Sequence, residues 1–235
     1  MDYYGEIAPF YDELTKDYPA YRKATAVLKD LVRGRRVLEI GTGTGYMAIW
    51  LAQQGYDVVA IDPSKPMIEI AKKKQSELKL NITFVQQDVQ EMNFGQEVDT
   101  IVLYESVFCI FRTPEGHIVE SYILDLKNMR KALEKMHNHL KNEGVLLISV
   151  RDLRNESLRI QLKNGNVYRP MLEHPRKGRL RITHVIEKGG MVVAKSVIEK
   201  LLLSLDEFTR MLEEAGFRVI GFDKTGQIFL VLKKA

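Results

Sequence analysis

The chain has 235 residues, 45% of them hydrophobic and 28% charged, with one cysteine and a formal net charge of +4. That length buries a sizeable core without staples, and one cysteine excludes an internal disulfide framework. The acidic opening Met1–Glu6 is no secretory signal, and no apolar run approaches the ~20 residues that span a bilayer, so a cytoplasmic, membrane-free protein is expected.

The first half of the chain alternates strand and helix patterns. Residues 35–40 read as a buried strand running into glycines, and residues 46–54 follow with helical spacing. Residues 57–61 form a second strand. Asp62-Pro63-Ser64 starts a helix to about Leu78, with Ser64 as its expected cap. Strands are predicted at 81–85 and 98–104, a long helix over about 116–141, and a fifth strand at 145–150. Alternation of this kind implies a parallel sheet covered on both faces. The pattern then changes. An Asn-Gly pair at 164–165 and a Gly-Gly pair at 189–190 punctuate β-rich runs, which read as an antiparallel insertion over 152–203. Ser204 and Glu207 have capping-box spacing before a helix ending at Ala215-Gly216, and two strands close the chain around 224–226. One domain over 1–235 with an insertion is the economical reading.

Residues 151–200 carry 12 basic and five acidic side chains. A basic segment attracts anionic substrates or nucleic acid, but this one holds a single aromatic residue, Tyr168, for stacking bases. A solvated surface explains the charge more simply.

The chemistry is concentrated in Glu39-Ile40-Gly41-Thr42-Gly43-Thr44-Gly45, between a strand and a helix. Glycines there allow a tight turn and close approach of a ligand. Nicotinamide oxidoreductases use G-x-G-x-x-G, whereas Tyr46 stands here at the third glycine's place. The acid Glu39 ahead of the loop suits a nucleoside carrying a cation better than a pyrophosphate. Asp62 ends the next strand, 21 residues after Gly41, where a carboxylate accepts hydrogen bonds from a ribose diol; a helix cap is its structural alternative. Asp88 is placed to accept from an exocyclic amine, with Met67 and Val89 on either side of an adenine ring or simply in the core.

These segments resemble the class I S-adenosylmethionine-dependent methyltransferases over residues 19–150 and 204–235. The motifs are VLEIGTGTG (37–45), VVAID (58–62), QQDV (86–89), EVDTIV (97–102) and LSLDEFTRMLEEAGF (203–217). The resemblance implies a doubly wound α/β fold with a mostly parallel seven-stranded sheet, its last strand antiparallel. It also implies S-adenosylmethionine as cofactor. Gly41, Thr42, Gly43 and Gly45 would lie along its methionine and ribose portions, Glu39 facing the amino group and Asp62 with Pro63 at the ribose. Asp88, Val89 and Met67 would hold the adenine, and Tyr104 with Glu105 the edge near the methyl.

In-line methyl transfer needs alignment and a dry pocket more than a triad or metal. No metal is expected: His137 and His139 lie two apart on a helix and face apart. Tyr104-Glu105-Ser106-Val107 lacks the Pro-Pro-aromatic pattern of nucleobase amino-methylating enzymes, and Cys109 follows Phe108 where cytosine-carbon enzymes place proline. A small-molecule acceptor remains, an amine or amino-acid nitrogen, with RNA or protein docking on the 151–200 segment as the alternative. Within the superfamily the chain is most similar to the glycine N-methyltransferase type. That likeness implies a carboxylate-binding arginine at Arg151 or Arg154, and an N-terminal lid (1–18) whose Tyr4 and Tyr11 orient the acceptor. Amphipathic packing of Ile7, Phe10, Tyr11 and Leu14 explains the same aromatics in part. A homo-oligomer is left open.

Overall fold

The computed structural model describes residues 4–15, 19–152, 159–226 and 228–235. Two short helices, α1 (Ala8–Thr15) and α2 (Pro19–Leu31), precede the alternating half. That half comprises β1 (Arg36–Ile40), α3 (Tyr46–Gln53), β2 (Asp57–Asp62), α4 (Lys65–Leu78), β3 (Ile82–Gln86) and β4 (Val98–Leu103). A hairpin follows, β5 (Phe108–Thr113) and β6 (Gly116–Ser121), then α5 (Leu126–His139) and the long β7 (Leu140–Asp152). β8 (Ile160–Gln161), β9 (Asn166–Glu173), β10 (Arg179–Lys188) and β11 (Met191–Ser204) lead to α6 (Leu205–Glu214), β12 (Phe217–Phe222) and β13 (Phe229–Lys234).

The fold is α/β, with parallel pairing in the order β3-β2-β1-β4-β7. β13 pairs antiparallel with β7 and with β12. The sheet does not stop at the seven strands expected. The last residues of β7 leave β13 behind and pair in parallel with β5, Ile110 opposite Val150. β6, β11, β10, β9 and β8 then extend it to 13 strands. A strand of 13 residues has length for neighbours at both ends, and that length, invisible as a motif, joins the two parts.

The expected long helix from Gly116 is also corrected. Residues 116–121 are strand, and the helix begins only at Leu126, capped by Asp125, which accepts from Asn128 N at 2.8 Å. The signal lay in Phe108-Cys109-Ile110-Phe111 followed by Thr113-Pro114-Glu115-Gly116, an apolar run and then turn residues. The Ser204–Glu207 capping box forms as read. Ser64 does not cap α4 with its side chain; Asp62 Oδ1 accepts from Ser64 N instead, at 2.9 Å.

The core lies in layers because the parallel strands are apolar on both faces. Val37, Val58, Ala60 and Val102 pack with Leu28 of α2, Met47 and Leu51 of α3, and Ile68 of α4. Leu38, Ile40, Ile101 and Leu103 pack on the other face with Met129, Leu133 and Met136 of α5 and Phe208 and Leu212 of α6. A third, smaller cluster joins Ile7 to Leu162, Ile186 and Ala194, so the N-terminal segment seats on the antiparallel strands. Among the described residues no helix is long and apolar enough to cross a membrane.

Candidate active site

The carboxyl ends of β1, β2 and β4 open onto a cavity of about 280 Å³. Its first wall comes from the glycine loop and the turns after β2 and β3: Gly41, Gly43, Asp62, Pro63, Met67, Asp88 and Val89. Its second comes from distant segments: Tyr4, Tyr11, Glu105, Ser106 and Tyr122, with Asp125 and Asn128 at the start of α5.

The three loop glycines do different things. A Cβ on Gly41 would meet the Ser106 Cβ at 2.5 Å, and one on Gly45 would meet Phe84 Cζ at 2.8 Å and Ala71 Cβ at 2.9 Å. Those two glycines let loop approach loop and helix approach strand. Gly43 alone opens on space, with only the Tyr11 ring edge at 3.8 Å. All three hold positive φ, from 53° to 80°, where a side chain costs ~1–2 kcal/mol. Asp62 freezes this arrangement: one oxygen accepts from Gly43 N at 2.8 Å and the other from Ser64 N. The helix-start role and a place on the cavity wall therefore coincide in one carboxylate. Asp88 likewise borders the cavity while its Oδ1 accepts from Gln90 N at 2.8 Å.

Several expected site residues stand off the cavity wall. Glu39 is buried beneath the loop, accepting from Thr42 Oγ1 at 2.6 Å. Burial pushes its carboxyl up to about 8, although the bonds from Thr42 and Ala48 N favour the charged form. Thr42 is turned inward by the same bond. Gly45 faces Phe84 and Ala71. Tyr104 is buried between Tyr21 and Phe229, ring centroids 5.1 and 6.1 Å away; the apolar register of β4 directs it into the core. Arg151 does not border the cavity either. Its Nη1 donates to Glu105 Oε2 at 2.9 Å, and its guanidinium lies over the Phe111 ring. Arg154, the other carboxylate-binding candidate, lies outside the described residues.

The second wall is built by tertiary contacts. Glu105 follows β4 with φ 49°, a left-handed conformation rare for non-glycine residues, and its N donates to Ser149 Oγ at 2.8 Å. That kink brings both Glu105 and Ser106 to the cavity. Ser106 is buried, and its hydroxyl has no hydrogen-bond partner among the described residues. The Tyr4 and Tyr122 hydroxyls are 2.6 Å apart, and the Tyr4 and Tyr11 rings meet edge to face at 5.5 Å. Burial raises all three phenols well above their usual range, so each keeps its proton. Behind Tyr122, Lys200 Nζ lies 4.8 Å from its ring centre and 2.6 Å from Glu120 Oε2. Burial pulls the Lys200 ammonium down, but attraction to Glu120 outweighs it and the net shift is upward. Sequence reasoning missed Ser106, Tyr122, Asp125 and Asn128, because the missed hairpin hid the turn that presents three of them.

Residues 4–15 cross the cavity as a strap tied at both sides. Asp12 accepts from Thr44 Oγ1 at 2.5 Å and from Lys74 Nζ at 2.9 Å. On the antiparallel side, Glu6 accepts from Lys195 N at 3.0 Å and Glu13 from Lys163 N. Among the described residues no group of three or more His, Cys, Asp or Glu could hold a metal ion. Cys109 is buried against Ser149, and burial raises its thiol far above the usual range.

Residues 37–144 match the family model of a methyltransferase domain. A Geobacillus sp. protein named only as a candidate methyltransferase is 28% identical over 152 residues, 63% of this chain and 57% of its own length. A glycine/sarcosine N-methyltransferase of Parasynechococcus marenigrum is 25% identical over 196 residues, 79% of this chain and 64% of that protein. The chain spans a little over half the length of the first curated relatives that it matches, 57% and 55%. Other matched relatives are named for oxygen acceptors. The structure of the methyltransferase CcbJ from Streptomyces caelestis superposes with a TM-score of 0.77 at 20% identity, covering 100% of this chain and 98% of that one.

Proposed function

We propose that this chain, whose residues 37–144 are a methyltransferase domain, is an enzyme that moves the methyl group of S-adenosylmethionine to a small-molecule acceptor, an amine nitrogen. The observation that carries the reading is one cavity shared by two walls, an opening at Gly43 backed by Asp62 and a polar wall at Glu105 and Ser106. The first wall fits the donor. Gly43 leaves room that a Cβ would fill, Asp62 presents carboxylate oxygens at the end of β2 to a ribose diol, and Asp88 with Val89 and Met67 suits an adenine ring. Glu39 and Thr42 support the loop from beneath, and Pro63 shapes its exit.

When bound, the donor supplies a methyl on a sulfonium: the S–C bond breaks with its electron pair left on sulfur as the acceptor's lone pair forms the new bond. The protein's own part is alignment and exclusion of water, where proximity is worth roughly 7–11 kcal/mol of barrier. The Glu105 carboxylate, held by Arg151, receives the amine and passes its released proton to water. Tyr4 and Tyr11 cover the reacting centre from the strap, which acts as a lid; the antiparallel strands of the 152–203 insertion back the acceptor side. Docking of RNA or protein on the basic 151–200 segment has less support. Arg151, Arg169, Arg181 and Lys200 of that segment are already paired with Glu105, Glu187, Glu199 and Glu120.

The test is thermal denaturation with the demethylated product S-adenosylhomocysteine. At 100 times its dissociation constant it should add ~2.7 kcal/mol to stability, and Asp62→Ala should abolish that gain. Identical melting curves with and without the ligand would sink the reading.

A further inference from the structure

The second wall carries chemistry that a donor site does not need. Tyr4, Ser106 and Tyr122 come from three separate segments and line the same cavity, each with a hydroxyl. Two of the hydroxyls are already paired at 2.6 Å. The third, Ser106 Oγ, is on a residue 5% exposed and has no partner among the described residues. A buried hydroxyl without a partner costs free energy that an arriving polar group recovers. Hydroxyls both donate and accept, so their complement is another group that does both. Among the described residues this wall carries two charged side chains: Asp125 is taken up by Asn128, whose N and Nδ2 donate to it at 2.8 Å, and Glu105, beside the hydroxyls, suits a cationic amine. Arg151 and Lys200, the cations behind the wall, are taken up by Glu105 and Glu120 at 2.9 and 2.6 Å. Arg179 donates from Nη2 to the carbonyl of cavity-lining Leu124 at 2.6 Å, its Nη1 is buried without a partner among the described residues, and its side chain does not itself line the cavity.

Resting on the methyl-transfer reading above, we propose that Tyr4, Ser106 and Tyr122 form the acceptor subsite and select a hydroxylated amine, its ammonium facing Glu105 and its hydroxyl held by the three side-chain hydroxyls. Tyr122 is the positioning centre of the three. Lys200, 4.8 Å over its ring, and the Tyr4 hydroxyl fix it from two directions. The insertion thereby sets acceptor choice through β11, on which Lys200 stands, without touching the donor wall. The amino-acid acceptor expected from the glycine N-methyltransferase likeness is replaced by an amine whose second polar group is neutral. The bonds balance once the ammonium has given a proton to Glu105, which passes it to water: the freed lone pair forms N–C as S–C breaks with its electron pair left on sulfur, and the product nitrogen carries the positive charge.

The experiment follows label from methyl-labelled S-adenosylmethionine to glucosamine, 2-aminocyclohexanol, cyclohexylamine and glycine, with S-adenosylhomocysteine binding measured in parallel. The expected result is kcat/KM at least tenfold higher for 2-aminocyclohexanol than for cyclohexylamine, and label on glucosamine but not glycine. Tyr122→Phe should bring the ratio of the two cyclohexyl amines towards one, raise KM more than it lowers kcat, and leave product binding unchanged. Equal rates for the two cyclohexyl amines, faster labelling of glycine, or a ratio unmoved by Tyr122→Phe would each overturn the subsite. Absence of label on both hydroxylated amines while the product still binds would also overturn it and leave the donor site standing. Loss of product binding in the unaltered protein would instead strike the reading beneath it.

Discussion

The two walls of the cavity are built in opposite ways. In the glycine-loop wall, proposed for the donor, the lining residues lie within a few positions of strand ends, and backbone amides do much of the holding: Gly43 N and Ser64 N on Asp62, Gln90 N on Asp88. In the second wall, proposed for the acceptor, partners stand far apart in the chain. Tyr4 meets Tyr122, Glu105 meets Arg151, and Lys200 on β11 meets Glu120 on β6. Short-range geometry survives changes of acceptor, because a strand–loop–helix turn needs few outside partners. Long-range side-chain pairs are where one member of a fold can differ from another.

The contrast can be broken hardest at Lys200. Lys200→Met strands Glu120, whose side chain is 9% exposed, as a buried unpaired charge, so a loss of about 3–5 kcal/mol in chemical denaturation is expected. Lys200→Met combined with Glu120→Leu should recover most of it. If the single variant is as stable as the parent, the pair is not the anchor of this wall.

The glycine-loop wall is tested by two glycines that read alike in sequence. Gly45→Ala puts a Cβ 2.8 Å from Phe84 Cζ at φ 80°, which should cost about 3 kcal/mol of fold stability from crowding and backbone strain together. Gly43→Ala should cost only about 1 kcal/mol, from its φ of 53°, yet weaken S-adenosylhomocysteine binding more than tenfold. Equal effects of the two on folding would erase the distinction between a packing glycine and one that opens on the cavity.

The last effect is a pH dependence. Glu39 has its carboxyl raised to about 8 from 4.5, so the folded state binds a proton that the unfolded state releases. Its stabilising advantage is complete below about 4.5 and is lost as pH rises through about 8. Glu39→Gln should therefore gain on the parent between pH 5 and pH 8, by about 1–2 kcal/mol after allowing for local rehydration of the carboxylate. Melting curves across that range check the sign; a gap that stays flat from pH 5 to pH 8 would show Glu39 already charged in the folded protein.

What the sequence determined by itself is the glycine-loop wall of the cavity and the alternating half. Apolar runs of strand length, Gly-x-Gly-x-Gly after the first of them, an acid at the next strand end and the Ser204–Glu207 box are all local, and local backbone preferences are written in adjacent residues. Gly41, Gly43, Asp62, Pro63, Met67, Asp88 and Val89 were legible for that reason. The sequence did not determine that β7 is long enough to join two sheet regions, that residues 108–121 turn back as a hairpin, or that Arg151 closes on Glu105. Nor did it show that Tyr104 faces the core while Tyr122 faces the cavity. Side-chain direction at such positions depends on strand register and on partners dozens of residues away, and that information exists only once the chain has folded.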